Sequence, residues 1–263
     1  MKDSAVNIKR ISILFIGQCK NGSNSMTDFL IRQKGFVEGE NVKASCRERI
    51  EKKGYYSNWD NKDITGAKYL IDKSLVVPDR DYYKGKGDIK KNKLIYILRN
   101  PYLGIRSHFL VALRGANCYS NFICGLPREY LSEKEILKLS FKQVCLIIER
   151  NYLKISHTLI VPKISRIFPL KNIFFTTLED LIEGKKELRR LEKLLGVKFS
   201  TYSFPHKNKT VDKYRLEQNL YKAGKIVFEK YSERIFKKYI IKADWKNLSK
   251  YFKRDLVKEF NIH

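Results

Sequence analysis

A chain of 263 residues is long enough for one sizeable α/β domain with a full hydrophobic core and only marginally long enough for two small ones, so a single domain spanning 1–263 is expected. Its 43% apolar and 13% aromatic residues exclude the intrinsically disordered class despite 31% charged side chains. With 54 Lys and Arg against 28 Asp and Glu, the formal charge of +26 creates a field that concentrates anions, so acidic ligands are expected; a solvated lysine face, in a chain rich in Lys, Ile and Asn together, is the competing account.

Cys19, Cys46, Cys118, Cys124 and Cys145 are odd in number and include no C-x-x-C pair, which points away from a disulfide framework or a zinc site. Reduced thiols fit a cytoplasmic protein. No apolar run approaches the length of a membrane span, and no export signal is legible at the N-terminus.

In chain order, Arg10 to Gly17 reads as a short buried strand, because Ile11, Ile13, Leu14, Phe15 and Ile16 form a compact apolar run that ends in glycine. A helix follows from Ser23, with Asn24 and Ser25 offering N-cap chemistry and Met26, Phe29 and Leu30 spaced as a buried face. Lys93 to Leu98 reads as a second strand. It ends at Arg99-Asn100-Pro101, where proline forbids the ladder from continuing, and a helix is expected through Ser107 and Leu113.

Ser132-Glu133-Lys134-Glu135 matches a capping box, and apolar recurrence from Ile136 to Leu153 predicts one long helix. Ile173 to Thr177 reads as a strand, and Lys185 to Leu195 as a helix stopped by Gly196. Two amphipathic helices are expected near the end, over Glu217–Tyr239 and Asn247–Phe260, the latter with Leu248, Tyr251, Phe252 and Leu256 on one face. Ser203 to Tyr214 is polar, basic and non-periodic, so it reads as a surface loop. Strands alternating with helices, without repeats or linkers, predict an α/β fold with a central parallel sheet flanked by helices.

Two segments carry chemistry. Gly17-Gln18-Cys19-Lys20-Asn21-Gly22-Ser23 lies between a predicted strand and a predicted helix, the setting in which backbone N–H groups cradle a phosphate. The two glycines have the spacing of the nucleoside-triphosphate loop G-x-x-x-x-G-K-[ST], but Ser23 follows Gly22 directly and the lysine lies inside the loop as Lys20. Phosphate binding is retained, whereas ATP hydrolysis is disfavoured. The second segment is Leu94 to Phe109, LIYILRNPYLGIRSHF.

Together these segments resemble the two nucleotide signatures of the sulfotransferases that use 3′-phosphoadenosine-5′-phosphosulfate (PAPS), especially the carbohydrate and heparan-sulfate-type branch, and the resemblance implies that family's P-loop-like fold. It covers roughly residues 10 to 30 and 68 to 200 well. In that family a strand ends in an R-N-P-like turn and a serine eight residues after the arginine joins it on the 3′-phosphate; Arg99 and Ser107 match. Gly17, Lys20, Asn21, Gly22, Ser23, Asn24 and Ser25 fall on the 5′-phosphosulfate loop, with Ser23 in place of the usual threonine. A bidentate guanidinium supported by one hydroxyl suits a phosphate. FFTTLEDL, Phe174 to Leu181, looks like the family's late strand ending in an E-D-L turn, and Leu194 to Val197 like the helix ending that follows. Lys207, Asn208 and Lys209, with Arg215 nearby, resemble the late segment that closes over the nucleotide; a solvated basic loop is the alternative.

The reaction implied is sulfuryl transfer, giving adenosine 3′,5′-bisphosphate and requiring no metal, with positioned cations supplying most of the catalysis. Lys20 is the candidate that stabilises the leaving oxygen. Lys73, in Asp72-Lys73-Ser74, resembles a lysine of an E-K-[ST]-P segment, although Leu75 replaces the proline. The family's general base maps near Glu51-Lys52-Lys53-Gly54-Tyr55-Tyr56 only with a one-residue shift, so Glu51, Asp60 and His108 all stand as candidates. The acceptor is expected to be a saccharide or small metabolite bearing a hydroxyl, or an amine. The competing classes are a P-loop nucleotide kinase or NTPase, and a basic polyanion- or nucleic-acid-binding module, for which no RRM, KH or zinc-finger signature appears.

Overall fold

Four consecutive apolar side chains, Ile13 to Ile16, call for a layer buried on both faces, and the strand they form is the middle one of a sheet. The computed structural model describes residues 11–17, 22–42, 56–59, 62–72, 88–113, 131–151, 157–205 and 218–263. In it this strand is β1 (Ser12–Gly17), and the four side chains are at most 2% exposed. Then come β2 (Phe36–Glu38), β3 (Glu40–Val42), β4 (Tyr56–Asn58), β5 (Tyr69–Asp72), β6 (Lys93–Leu98) and β7 (Ile173–Thr177). Five of them make a sheet in the order β2-β5-β1-β6-β7, with every pairing parallel, while β3 and β4 pair antiparallel in a ribbon of their own.

The described residues divide into two units, one from the chain up to Leu98 and from 160–207, the other from 99–159 and 208–263. The first holds the sheet. Alternate residues of its strands, among them Leu14, Ile16, Ile71, Ile95 and Ile97, form one core with Met26, Phe29 and Leu30 of α1 (Ser23–Ile31). Further along the chain, α2 (Pro101–Leu113), α3 (Glu133–Leu137), α4 (Phe141–Asn151) and α5 (His157–Ile164) precede β7. After it, α6 (Leu178–Glu183) and α7 (Lys185–Leu195) add Leu181, Leu188, Leu191 and Leu195 to the same core. Gly196, at φ 60°, ends α7 in the left-handed conformation that glycine adopts without strain. Tyr69 at the start of β5 donates its hydroxyl to the Leu195 carbonyl at 2.8 Å, and Lys68 donates its Nζ to that of Gly196, so the open end of α7 is satisfied by the strand beneath it. On the opposite sheet face Phe168 meets Phe15 edge to face at 5.7 Å.

The second unit is helical, built on α2 to α4 and on α8 (Gln218–Lys230), α9 (Ser232–Tyr239), α10 (Lys242–Phe252) and α11 (Leu256–Glu259). Gly224 of α8 lets α2 come close: a Cβ there would lie 2.8 Å from both Leu110 and Leu113. Tyr102 and Arg106 of α2 both donate to Glu229 of α8, at 2.6 and 3.0 Å, and the desolvated tyrosine hydroxyl, beside that carboxylate, is pushed up to about 12.

Three expected helices are split, each by a local signal weaker than the periodicity. The Ser132–Glu135 capping box starts α3 as expected, but a second box follows at once. Ser140 N–H donates to Gln143 Oε1 at 2.8 Å while Gln143 N–H donates to Ser140 Oγ at 3.4 Å, so α4 starts afresh. The segment expected as Glu217–Tyr239 breaks at Tyr231, whose hydroxyl donates to the Leu139 carbonyl. The last helix begins earlier than expected, at Lys242, and stops at Lys253, which takes φ 54°; Asp255 then caps α11 by accepting from Val257 and Lys258 N–H. No helix among the described residues is long and apolar enough to cross a membrane.

His157 gives the second unit a definite acid response. It is 4% exposed, with the Trp245 ring 6.5 Å away, and burial, reinforced by the charge of His108, lowers its pKa to about 3. The folded protein therefore keeps a neutral imidazole that the unfolded chain protonates near pH 6.5. Its contribution is complete above that pH and is lost as pH falls from about 6.5 towards 3, at up to ~1.4 kcal/mol per unit. Thermal unfolding at pH 5 should occur roughly 4–8 °C below that at pH 7 from this group alone, and His157→Gln should flatten the slope between those values. A slope unchanged by the substitution would assign the acid response elsewhere.

Candidate functional site

In an open parallel sheet, ligands bind beyond the carboxyl ends of the strands, where the order of connections reverses. Here β1 leads outward through α1 to β2, whereas the chain passes from β5 across β1 to β6 and on to β7. The reversal lies between β1 and β6. These strands are parallel neighbours, with Gly17 opposite Tyr96, so β1 and β6 finish at one edge, two residues apart in register. The chain continues from Gly17 into the loop ending at Gly22, and from Leu98 into Arg99.

Gly22 is the described end of that loop. It sits at φ 88°, ψ 11° as the N-cap of α1, its carbonyl accepting from Met26 N–H at 2.9 Å. The cap expected from Asn24 or Ser25 is not the one used: Asn24 is exposed, Ser25 is buried in the first turn at 7%, and no side chain caps the helix. That follows from the backbone, because a glycine in the left-handed conformation turns the chain sharply enough for Ser23 to become the first helical residue. The first-turn N–H groups of Ser23, Asn24 and Ser25 have no partner within the helix, and no acidic residue lies in the turn. An anion is the natural complement of such an end.

The other edge elements hold this turn in place. A Cβ on Gly22 would lie 2.5 Å from Cδ1 of Leu178, the residue that follows β7 and opens α6. Thr177 is wholly buried and accepts from Asp180 N–H at 3.1 Å, so the segment expected as an E-D-L turn is the first turn of a helix, with Glu179 and Asp180 at its positive end. β5 is not anticipated from the sequence, because Tyr69-Leu70-Ile71 is too short a run to stand out. It carries Asp72, a carboxylate with no exposed surface, at its C-terminal end and next to Phe15, two residues before Gly17. A buried carboxylate is held by compensating donors or cations, which marks this edge as polar below its surface.

Arg99 and Ser107 belong to the second unit. Arg99 is half-buried between β6 and α2; Asn100 caps that helix, its Oδ1 accepting from Tyr102 and Leu103 N–H at 3.0 and 3.3 Å, and Pro101 takes the first helical position. The proline therefore opens a helix as well as ending the strand. Ser107 and His108 lie half-buried two turns along α2, and the charge of His108 acts on His157. Lys20, Asn21, Glu51, Asp60, Lys73, Lys207, Asn208, Lys209 and Arg215 lie outside the described residues.

The arrangement of strands is also found in a solved structure. The crystal structure of a sulfotransferase from Alicyclobacillus acidocaldarius matches with a TM-score of 0.58 over 96% of this chain and 99% of that one, at 14% identity. The chain has a sulfotransferase fold. A sulfotransferase domain from the curacin biosynthetic pathway aligns less fully, at TM-score 0.46 over 72% of this chain and 75% of that one, with 18% identity. No protein-family model and no curated protein matches the chain. Within the sulfotransferase fold, the central parallel sheet flanked by helices expected from the sequence is the observed one.

Gly22→Ala tests the turn. The substituted residue would have to hold a left-handed conformation and displace the buried Leu178, at a combined cost of about 1–3 kcal/mol. Urea unfolding should show a lower midpoint with an unchanged slope; an unchanged midpoint would mean that the turn and Leu178 relax without cost.

Proposed function

We propose that this protein is a sulfotransferase, acting as one domain in the cytoplasm, that moves the sulfuryl group of PAPS to a hydroxyl or amine of a saccharide or small metabolite. The observation that carries the reading is the parallel pairing of β1 with β6 at the topological switch point, where a glycine-bounded loop leaves one strand and the other runs into Arg99. The resemblance of both segments to sulfotransferase nucleotide signatures and the sulfotransferase fold support it independently.

In this reading Gly17, Asn21, Gly22, Ser23, Asn24 and Ser25 present backbone and hydroxyl donors to the 5′-phosphosulfate, with the first turn of α1 complementing its charge. Arg99 and Ser107 grip the 3′-phosphate, and Lys207, Asn208 and Lys209 close over the nucleotide. The acceptor oxygen or nitrogen attacks sulfur in line, the bond from sulfur to the bridging phosphate oxygen breaks, and the acceptor proton passes to a carboxylate or imidazole, Glu51 or His108. Lys20 stabilises the negative charge that develops on the bridging oxygen, assisted by Lys73. The products are the sulfated acceptor and adenosine 3′,5′-bisphosphate, and no step uses a metal.

Calorimetric titration without magnesium should give much tighter binding of adenosine 3′,5′-bisphosphate than of AMP; a preference for Mg-ATP would overturn the proposal in favour of a kinase. Lys20→Ala should lower kcat by ~10²–10³-fold with little change in unfolding midpoint. Arg99→Ala should weaken binding of the bisphosphate by roughly 10–100-fold, the range of a lost charged hydrogen bond. Wild-type turnover in both variants would remove these residues from the site.

A further inference from the structure

Helix α10 carries cations that form no ion pair among the described residues. Lys242, Lys246, Lys250 and Lys253 are all exposed. At about 100° per residue the three helical lysines, Lys242, Lys246 and Lys250, fall within an arc of about 80°, and with a rise of about 1.5 Å per residue they form a row of about 12 Å, which Lys253 follows as the left-handed C-cap. The opposite face of the helix is committed to the core through Trp245, Leu248 and Phe252. The row is therefore a fixed feature of a packed helix.

Chain 218–263 holds twelve Lys and Arg against five acids, Glu229, Glu233, Asp244, Asp255 and Glu259. Four of the five are engaged elsewhere: Glu229 with Tyr102 and Arg106, Glu233 with Lys237, Glu259 with Arg254, and Asp255 as the cap of α11. The fifth, Asp244, lies about 120° beyond the edge of the lysine arc. The neighbouring helix shows the contrast, since Lys237 and Lys238 of α9 both pair with carboxylates, Glu233 and Glu149. Among the described residues the four α10 lysines make no ion pair, and their one hydrogen bond runs from Lys250 to Asn247. Lysines four apart repel one another, and Lys242 sits at the positive end of the helix dipole, whereas Lys250 and Lys253 lie at its negative end, where a cation is favourable.

The chemistry of the row narrows its partner. It contains no arginine to fork onto single phosphate or sulfate groups; of the helix's rings Trp245 and Phe252 are buried, and the half-buried Tyr251 lies about 100° beyond the edge of the row, so no ring stands among the lysines as a platform for bases or sugars. Point charges on flexible stems respond instead to a diffuse negative field. We propose that α10 is a peripheral docking surface for an anionic lipid bilayer, which it meets side-on through the four lysines. Adsorption of this kind draws on roughly one comparable increment of binding per lysine and is screened by salt.

Flotation of the full chain with vesicles tests this without reference to the donor site. Vesicles of two parts phosphatidylcholine to one part phosphatidylserine should bind the protein at low salt and release it as salt rises, and phosphatidylcholine alone should not bind it. Replacing the row, as Lys242→Ser, Lys246→Ser, Lys250→Ser and Lys253→Asn together, should weaken binding roughly a hundredfold to a thousandfold. The pair Lys246→Ser and Lys250→Ser should lose roughly the square root of that factor, and serves where the fourfold variant has an altered unfolding midpoint. A control lacking four other exposed lysines, as Lys62→Ser, Lys134→Ser, Lys186→Ser and Lys193→Ser, has the same net charge and should keep most of the binding. Equal loss in control and row variants, or no binding to the serine-lipid vesicles, overturns the proposal. So does row-dependent binding of a heparin oligosaccharide or a single-stranded oligonucleotide by a protein that ignores vesicles.

Discussion

The pairing of β1 with β6 is the constraint on which the rest depends. β1 has a parallel neighbour on each side, and its four central side chains are almost wholly buried. At about 1.5–3 kcal/mol for each buried aliphatic or aromatic side chain, that strand alone contributes a gross burial comparable to the whole net stability of an ordinary domain. Its register against β6 is consequently hard to shift. A slip of one residue would turn Ile13 and Phe15 towards the α1 face and drive Leu14 and Ile16 out of the core they share with Met26 and Phe29. The loop after Gly17 thus starts from the least deformable part of the first unit, which suits a site that must hold its donors in fixed directions.

The strand end alone would not orient the loop; its return matters as much. Gly22 is bounded by its own backbone, at φ 88°, and by Leu178, which belongs to the core and to the helix leaving β7. The turn into α1 is therefore defined by two strands distant in sequence. Because Leu178 shares one core with Leu181 and with Leu188 of α7, the contact joins the end of the loop after β1 to the helical layer as well as to the sheet. Rigidity at a helix N-terminus has chemical value: N–H groups bind an anion well only when they need no rearrangement to meet it.

What was legible in the sequence follows from how local each signal is. β1, β6 and α7 were legible because an apolar run or stripe ends in glycine or at an Arg-Asn-Pro stop, and β7 because Ile173-Phe174-Phe175 is a β-prone run ahead of Thr176 and Thr177; these depend only on neighbours in the chain. β2 and β5 were not, since three or four residues cannot establish a period and both owe their place to strands far away. The helix breaks at Ser140, Tyr231 and Lys253 were hidden because the apolar spacing carries through each break nearly in phase. The start of α1 was legible from Gly22 and Ser23, but its cap was assigned to Asn24 and Ser25 on residue type; the glycine conformation that decides the matter is a property of the folded turn. Asp72 came to notice only as a neighbour of Lys73, and its burial depends on pairing with β1.

A charge of +26 does two separable things. Spread over the surface, it raises the local concentration of any anion and so carries no selectivity; salt screens it within about 8–10 Å. Selectivity requires charges or dipoles fixed in direction, and the two units fix them differently. In the first, the N-terminus of α1 has no acid in its opening turn, so no carboxylate of that turn competes for its donors. In the second, the carboxylates are bound to particular cations: Glu229 to Arg106, Glu233 to Lys237, Glu149 to Lys238, Glu259 to Arg254. Each pair gains little at the surface. Their larger effect is on what remains, because every neutralised cation removes a competing attractor and leaves the residual field concentrated where partners are lacking. The pattern of pairing, more than the total charge, then determines where an anion meets this protein.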